Sequence, residues 1–103
     1  MKYVIGGLTR FAENPSLFKT MDFNKDDKSM IIDYMKNSKE PCGVGGYIDD
    51  LKEGKSTQIE NAFYEDDIYM WSSQDIYHIE NYNAAIDPDF IIHVKDKRKN
   101  LAS

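Results

Sequence analysis

The clearest periodic signal lies between Asn24 and Ser38, where Ile31, Tyr34, Met35 and Ser38 recur at helical spacing and mark one face. Asn24 is placed to cap this helix, with Asp27 three residues on as its capping-box partner, and Asp26 and Asp27 both suit the positive helix end. Pro41 predicts the stop, because the residue before a proline disfavours helical backbone. Upstream, residues 2–11 (KYVIGGLTRF) open as a strand, with Gly6 and Gly7 at a bulge or at its end. Asn14-Pro15-Ser16 reads as a turn leading into a short helical piece over 16–21.

The pattern changes over residues 42–71. Short aromatic and β-branched runs predict strands near 44–48, 58–64 and 67–71, separated by a Glu53-Gly54 turn and a hairpin tip at Asp66-Asp67. Two helices follow. Ser72 caps the first, Asp75 takes its third position, and Trp71 before the cap packs on Ile76, with Ile76, Ile79 and Asn83 on the buried side. Asp87-Pro88-Asp89 starts the second: Asp87 caps, Pro88 fits the first turn, Ile86 packs on Ile91, and Phe90, Ile91 and Val94 form the apolar face. The predicted architecture is α+β: a small antiparallel sheet built on hairpins, flanked by three or four helices, in one domain over 1–103.

Length agrees with that, since 103 residues suffice for one core and not for two. No apolar run approaches the ~20 residues that cross a bilayer, and Tyr3, Arg10 and Glu13 interrupt any signal-peptide pattern. Cys42 is the only cysteine, so no intrachain disulfide forms, which suits a reducing compartment and a cytoplasmic location.

Charge changes the picture most. The chain carries −5, but Lys95, Lys97, Arg98 and Lys99 with Asp96 contribute +3, leaving the first 94 residues at −8. Between Ser56 and Val94 there is no Lys or Arg, against eight acids: Glu60, Glu65, Asp66, Asp67, Asp75, Glu80, Asp87 and Asp89. Such a field repels phosphate and draws cationic partners, so direct nucleic-acid binding is not expected.

Asp75, His78 and Tyr82 share one face of the 73–82 helix, a row able in principle to do acid–base work. No partnered Ser or Cys nucleophile accompanies it, and the chain is not expected to be an enzyme. Glu65, Asp66 and Asp67 lack the alternating donors and closing Glu of a calcium loop, and Gly43-Val44-Gly45-Gly46 lacks the Lys-Ser/Thr of a phosphate loop. Neither a metal nor a cofactor is expected. Among the aromatics, Phe63, Trp71 and Phe90 are assigned to the core. Tyr64 and Tyr69 flank the acidic tip, where a tyrosine offers apolar area and a polar end together.

The segment from Gly46 to Val94 resembles the C-terminal half of small immunity proteins from bacterial polymorphic-toxin and contact-dependent growth inhibition loci. The matching residues are Gly46-Tyr47, Gly54, Tyr64, Tyr69, Trp71-Ser72, Tyr77, Glu80-Asn81-Tyr82-Asn83, Pro88 and Phe90-Ile91. It departs from them in carrying Glu65-Asp66-Asp67 where an Asp-Gly turn is usual. The resemblance implies a protein held in the cytoplasm of the toxin-producing cell that binds and neutralises a cognate toxin domain, often a nuclease with a basic active site. Partner-binding residues are then expected at Asp49, Asp50, Glu65, Asp66, Asp67 and Tyr69, with a second patch at Asp75, His78, Glu80 and Tyr82. Other readings are a phage-type inhibitor mimicking nucleic acid, a small hydrolase centred on Asp75 and His78, and a structural subunit with an apolar interface.

Overall fold

Asn24 starts the first helix: its side-chain oxygen accepts from the amides of Asp26 and Asp27 at 2.9 and 3.3 Å. The Asp27 carboxylate reaches Lys95 at 3.4 Å. The computed structural model describes residues 2–5, 19–38 and 41–102. Along them run β1 (Lys2–Tyr3), α1 (Lys25–Asn37), β2 (Cys42–Asp50), β3 (Lys55–Glu65), β4 (Tyr69–Ser72), α2 (Ser73–Tyr82) and α3 (Pro88–Ala102). The expected features at Gly6, Gly7 and 14–16 lie outside the described residues. Of the short helical piece expected over 16–21, Lys19–Met21 are described and are extended instead. Thr20 bridges Ala84 in antiparallel fashion, and the amides of Met21 and Ala85 bond the carbonyls of Asn83 and Lys19.

The class is α+β, with three helices among the described residues and a four-stranded sheet in the order β1-β4-β3-β2. The sheet is mixed rather than antiparallel throughout. β2, β3 and β4 form two antiparallel hairpin pairs, whereas β1 lies parallel to β4, with Lys2 opposite Tyr69 and Tyr3 opposite Met70. A parallel pair needs a long crossover, and everything from α1 to β3 intervenes here.

Both later helices start where their local residues dictate. Ser72 and Asp75 form a reciprocal capping box, the Ser72 amide donating to Asp75 at 2.9 Å and the Asp75 amide to the Ser72 hydroxyl at 3.3 Å. Asn83 is exposed rather than buried: it ends α2 in the left-handed region at φ 55°, a role its short polar side chain tolerates. Asp87 caps α3 through the Asp89 amide at 3.0 Å, and Pro88 fills the first helical position.

The core gathers Val4, Ile5, Ile31, Ile32, Met35, Tyr69, Trp71, Ile76, Ile79, Phe90 and Val94. The β2–β3 hairpin contributes little to it. Burial along β2 is confined to Ile48 and Asp50, and along β3 to Ala62. Phe63, assigned to the core from sequence, is instead 44% exposed. Side chains alternate between faces along a strand, so inward Ala62 and Tyr64, the latter stacked on Trp71 at 6.2 Å, turn Phe63 outward.

Candidate functional site

Two buried aspartates organise the turns that carry most of the sequence-predicted site. Asp50 ends β2, and its Oδ1 accepts from the amides of Lys52 and Glu53 at 3.0 and 2.9 Å, closing the turn into β3. Its Oδ2 accepts from the hydroxyls of Tyr77, at 2.7 Å, and Tyr82, both on α2. Burial opposes ionisation of Asp50, but the donors from Tyr82, Tyr77, Glu53 and Lys52 outweigh it and hold the pKa at about 2. The hydrogen bond to Asp50, with burial, raises both tyrosine pKa values. Tyr82 is half-buried, with the Lys52 ammonium 5.1 Å from its ring centre.

Asp66 repeats the arrangement at the tip between β3 and β4. Oδ1 accepts from the amides of Ile68 and Tyr69 at 2.8 and 2.6 Å, while Oδ2 meets the Tyr34 hydroxyl at 2.6 Å and His93 Nε2 at 2.7 Å. Here too burial is overridden, chiefly by Tyr34 and the two amides, and the pKa is held at about 2. The carboxylate closes this turn by accepting from the amides two and three residues on, a different device from the positive φ that a glycine supplies. Asp67 beside it is exposed but ion-paired with Lys97 of α3 at 2.9 Å. Tyr69 is buried, its hydroxyl on Asp87 at 3.2 Å.

The Asp75–His78–Tyr82 row does not form a relay. Asp75 is buried in the capping box, where desolvation, partly offset by the Ser72 amide and hydroxyl, raises its pKa to about 7. His78 is fully buried; Nδ1 meets the Gln74 carbonyl at 2.7 Å and Nε2 accepts from the Leu51 amide at 3.0 Å. That pairing sets the tautomer with the proton on Nδ1, and burial lowers the His78 pKa. Glu80 is exposed and pairs with Lys36 at 3.1 Å. It borders an open cleft of about 500 Å³, lined otherwise by Lys25, Lys28, Ser29, Ile32, Asp33 and Lys36, that neither Asp75 nor His78 reaches.

The titrations of these groups set a measurable pH profile. The folded pKa of Asp75 lies above its unfolded value, so the native state holds more protons between about pH 4 and 7, and stability falls as pH rises through that window. Asp50 and Asp66 have depressed folded pKa values, so their contribution is complete above their unfolded pKa and is lost as pH falls from about 4 toward 2. Asp75→Asn keeps an oxygen for the Ser72 amide and removes the ionisation. Thermal unfolding across pH should show the upper slope, on the order of 1 kcal/mol per pH unit at its steepest, flattened in this variant and the acid limb retained.

Of the residues expected to meet a partner, Asp50, Asp66, Tyr69, Asp75 and His78 are therefore buried. Asp67 and Glu80 are exposed and paired with lysines, whereas Asp49 and Glu65 are exposed with no side-chain partner among the described residues. Glu60 joins these two. It was missed as a site residue although it opens the run of acids in the stretch without Lys or Arg. On the same two strands Val44, Tyr47, Ile59 and Phe63 stand 51%, 61%, 43% and 44% exposed. As for metals, ligand atoms of Asp66, Asp67 and His93 lie within 4.8 Å of one another. The Asp66 carboxylate already has four donors and Asp67 has Lys97, so a cation would have to displace both His93 and Lys97.

The fold and site thus define an α+β protein whose acid–base groups are largely built into turns and caps, while three of its unpaired acids, Asp49, Glu60 and Glu65, lie on one hairpin. Comparison with family models, curated proteins and solved structures finds no match to this chain. No helix among the described residues is long and apolar enough to cross a membrane.

Proposed function

We propose that this chain is an immunity-type inhibitor without catalytic activity, which resides in the cytoplasm and neutralises a cognate toxin domain, a nuclease, by binding its basic surface. The observation that carries this reading is the set of exposed, unpaired carboxylates at Asp49, Glu60 and Glu65, in a chain with no Lys or Arg between Ser56 and Val94. An enzyme holding phosphate concentrates positive charge, and a complementary field raises the encounter rate with it. His78, the centre of the competing hydrolase reading, has both ring nitrogens engaged by backbone groups in a fully buried position.

The test pairs this protein with the toxin domain encoded by the neighbouring reading frame. Co-expression should restore growth to cells making that domain. The purified complex should weaken ~10-fold or more as ionic strength rises from ~0.05 to ~0.2 M, because screening shortens the reach of surface charge. Absence of a complex sinks the reading, and a salt-independent affinity sinks its electrostatic basis.

A further inference from the structure

Exposed apolar side chains are distributed unevenly over the molecule. Seven large ones are exposed among the described residues, and Val44, Tyr47, Ile59 and Phe63 all belong to β2 and β3. Phe63 is the cross-strand partner of Cys42, and Tyr47 that of Glu60, so apolar and acidic groups alternate on the same two strands. Asp49, Glu60 and Glu65 complete the set. The cations of this hairpin lie at its turn, at Lys52 and Lys55, where Lys55 pairs with Glu53 at 2.8 Å.

We infer that the β2–β3 hairpin, exposed on both faces over much of its length, rather than the Asp66-Asp67 tip, is the docking surface, and that it enters a protein groove with an apolar floor and a lysine- or arginine-bearing rim. Exposed apolar residues clustered on one element mark interaction sites more than scattered ones do. Tyrosine and phenylalanine are the side chains that anchor such sites, with the charges around them setting rate and specificity.

Other occupants fit less well. β2 is the outer strand of the sheet and invites an added strand. Its register, however, shifts between Gly43 and Tyr47, where Gly45 and Gly46 sit at φ 85° and 77°, and again between Tyr47 and Asp49. Bulges of this kind bend an edge and interrupt regular pairing. A second copy packed about a two-fold axis would set this acid-bearing hairpin against the same hairpin of its copy, and like charges across an interface are unfavourable. A nucleic acid is repelled by the same carboxylates. A basic protein surface satisfies the charge and the apolar area together.

This inference rests on the toxin-binding reading, and its test uses the same toxin domain as probe. Tyr47→Ala combined with Phe63→Ala should weaken the complex ~100-fold, mainly through faster dissociation. Asp49→Lys combined with Glu60→Lys should slow association ~10-fold and flatten its salt dependence. Asp67→Asn at the tip should leave the affinity unchanged. Circular dichroism establishes that each variant is folded, as expected for substitutions at exposed positions. If the domain binds but ignores both hairpin pairs, or depends on Asp67, this surface is wrong and the toxin-binding reading stands. If the parent protein does not bind the domain at all, both fall. Self-association abolished by the Tyr47/Phe63 pair would instead assign the hairpin to a second copy and overturn the inference.

Discussion

Asp66→Ala is expected to destabilise the protein by ~3–5 kcal/mol, a large fraction of the ~5–15 kcal/mol available to a domain of this size. The substitution deprives four donors of one acceptor: the Tyr34 hydroxyl, His93 Nε2 and the amides of Ile68 and Tyr69. Three structural units meet there, since Tyr34 lies on α1, His93 on α3 and the amides between β3 and β4. A buried donor left unsatisfied costs its full desolvation penalty, which exceeds the net gain from making the bond. The thermal midpoint should drop by more than ~10 °C, at several degrees per kcal/mol for a chain of about this length. Asp67→Asn is the matched comparison. Its carboxylate is exposed and loses one surface pair with Lys97, so its midpoint should stay close to that of the parent. Equal midpoints for the two variants would show that Asp66 does not tie these elements together.

The contrast between these neighbours marks where sequence reasoning stops. Asp66-Asp67 was legible as a hairpin tip, because apolar pairs flank it on both sides. Which of the two carboxylates turns inward was not, since that depends on Tyr34, 32 residues earlier, and His93, 27 later. The Ser72–Asp75 box, the Asn24 cap and the Asp87-Pro88 start were legible for the opposite reason: each is decided within four residues. Asp50 shows the limit again. Beside Asp49 it reads as one of a pair of surface acids, yet the strand alternation that exposes Asp49 directs Asp50 toward the hydroxyls of Tyr77 and Tyr82.

The basic end of the chain belongs to the same class of long-range effects. Read linearly, the cluster from Lys95 to Lys99 is separate from the acidic stretch. Folded, α3 returns Lys97 to Asp67 and Lys95 to Asp27. Acid count along the sequence therefore overstates the free negative charge at the tip, whereas Asp49, Glu60 and Glu65 of the hairpin are unpaired. Parallel pairing of β1 with β4 was equally hidden, since a two-residue strand has no period of its own.

Trp71→Ala should cost as much as Asp66→Ala by a different mechanism, and the two together separate packing from polar tethering. Trp71 is 1% exposed in β4 and approaches the rings of Phe90, Tyr34 and Tyr64 at 5.7, 6.0 and 6.2 Å. Its Nε1 donates to the Met35 carbonyl at 3.0 Å. Truncation removes apolar area and leaves a cavity that strands and helices close only partly, a loss of ~3–5 kcal/mol. Trp71→Phe restores most of the ring volume and forfeits the hydrogen bond, so it should recover more than half of that loss. Urea titration reads both variants, with an unchanged slope expected if the unfolded ensemble is the same. The pH dependence discriminates between mechanisms. The Trp71→Ala deficit should be constant between about pH 5 and pH 2.5, because no ionisation changes at that site. The Asp66→Ala deficit should shrink over the same range, because the unfolded parent takes up a proton at Asp66 near pH 4 while the folded carboxylate, held at about 2, stays largely ionised. An Asp66→Ala deficit that stayed constant on acidification would show that charge is irrelevant to the tether, and a Trp71→Ala deficit that shrank would show that the tryptophan acts on Asp66 through Tyr34, which touches both.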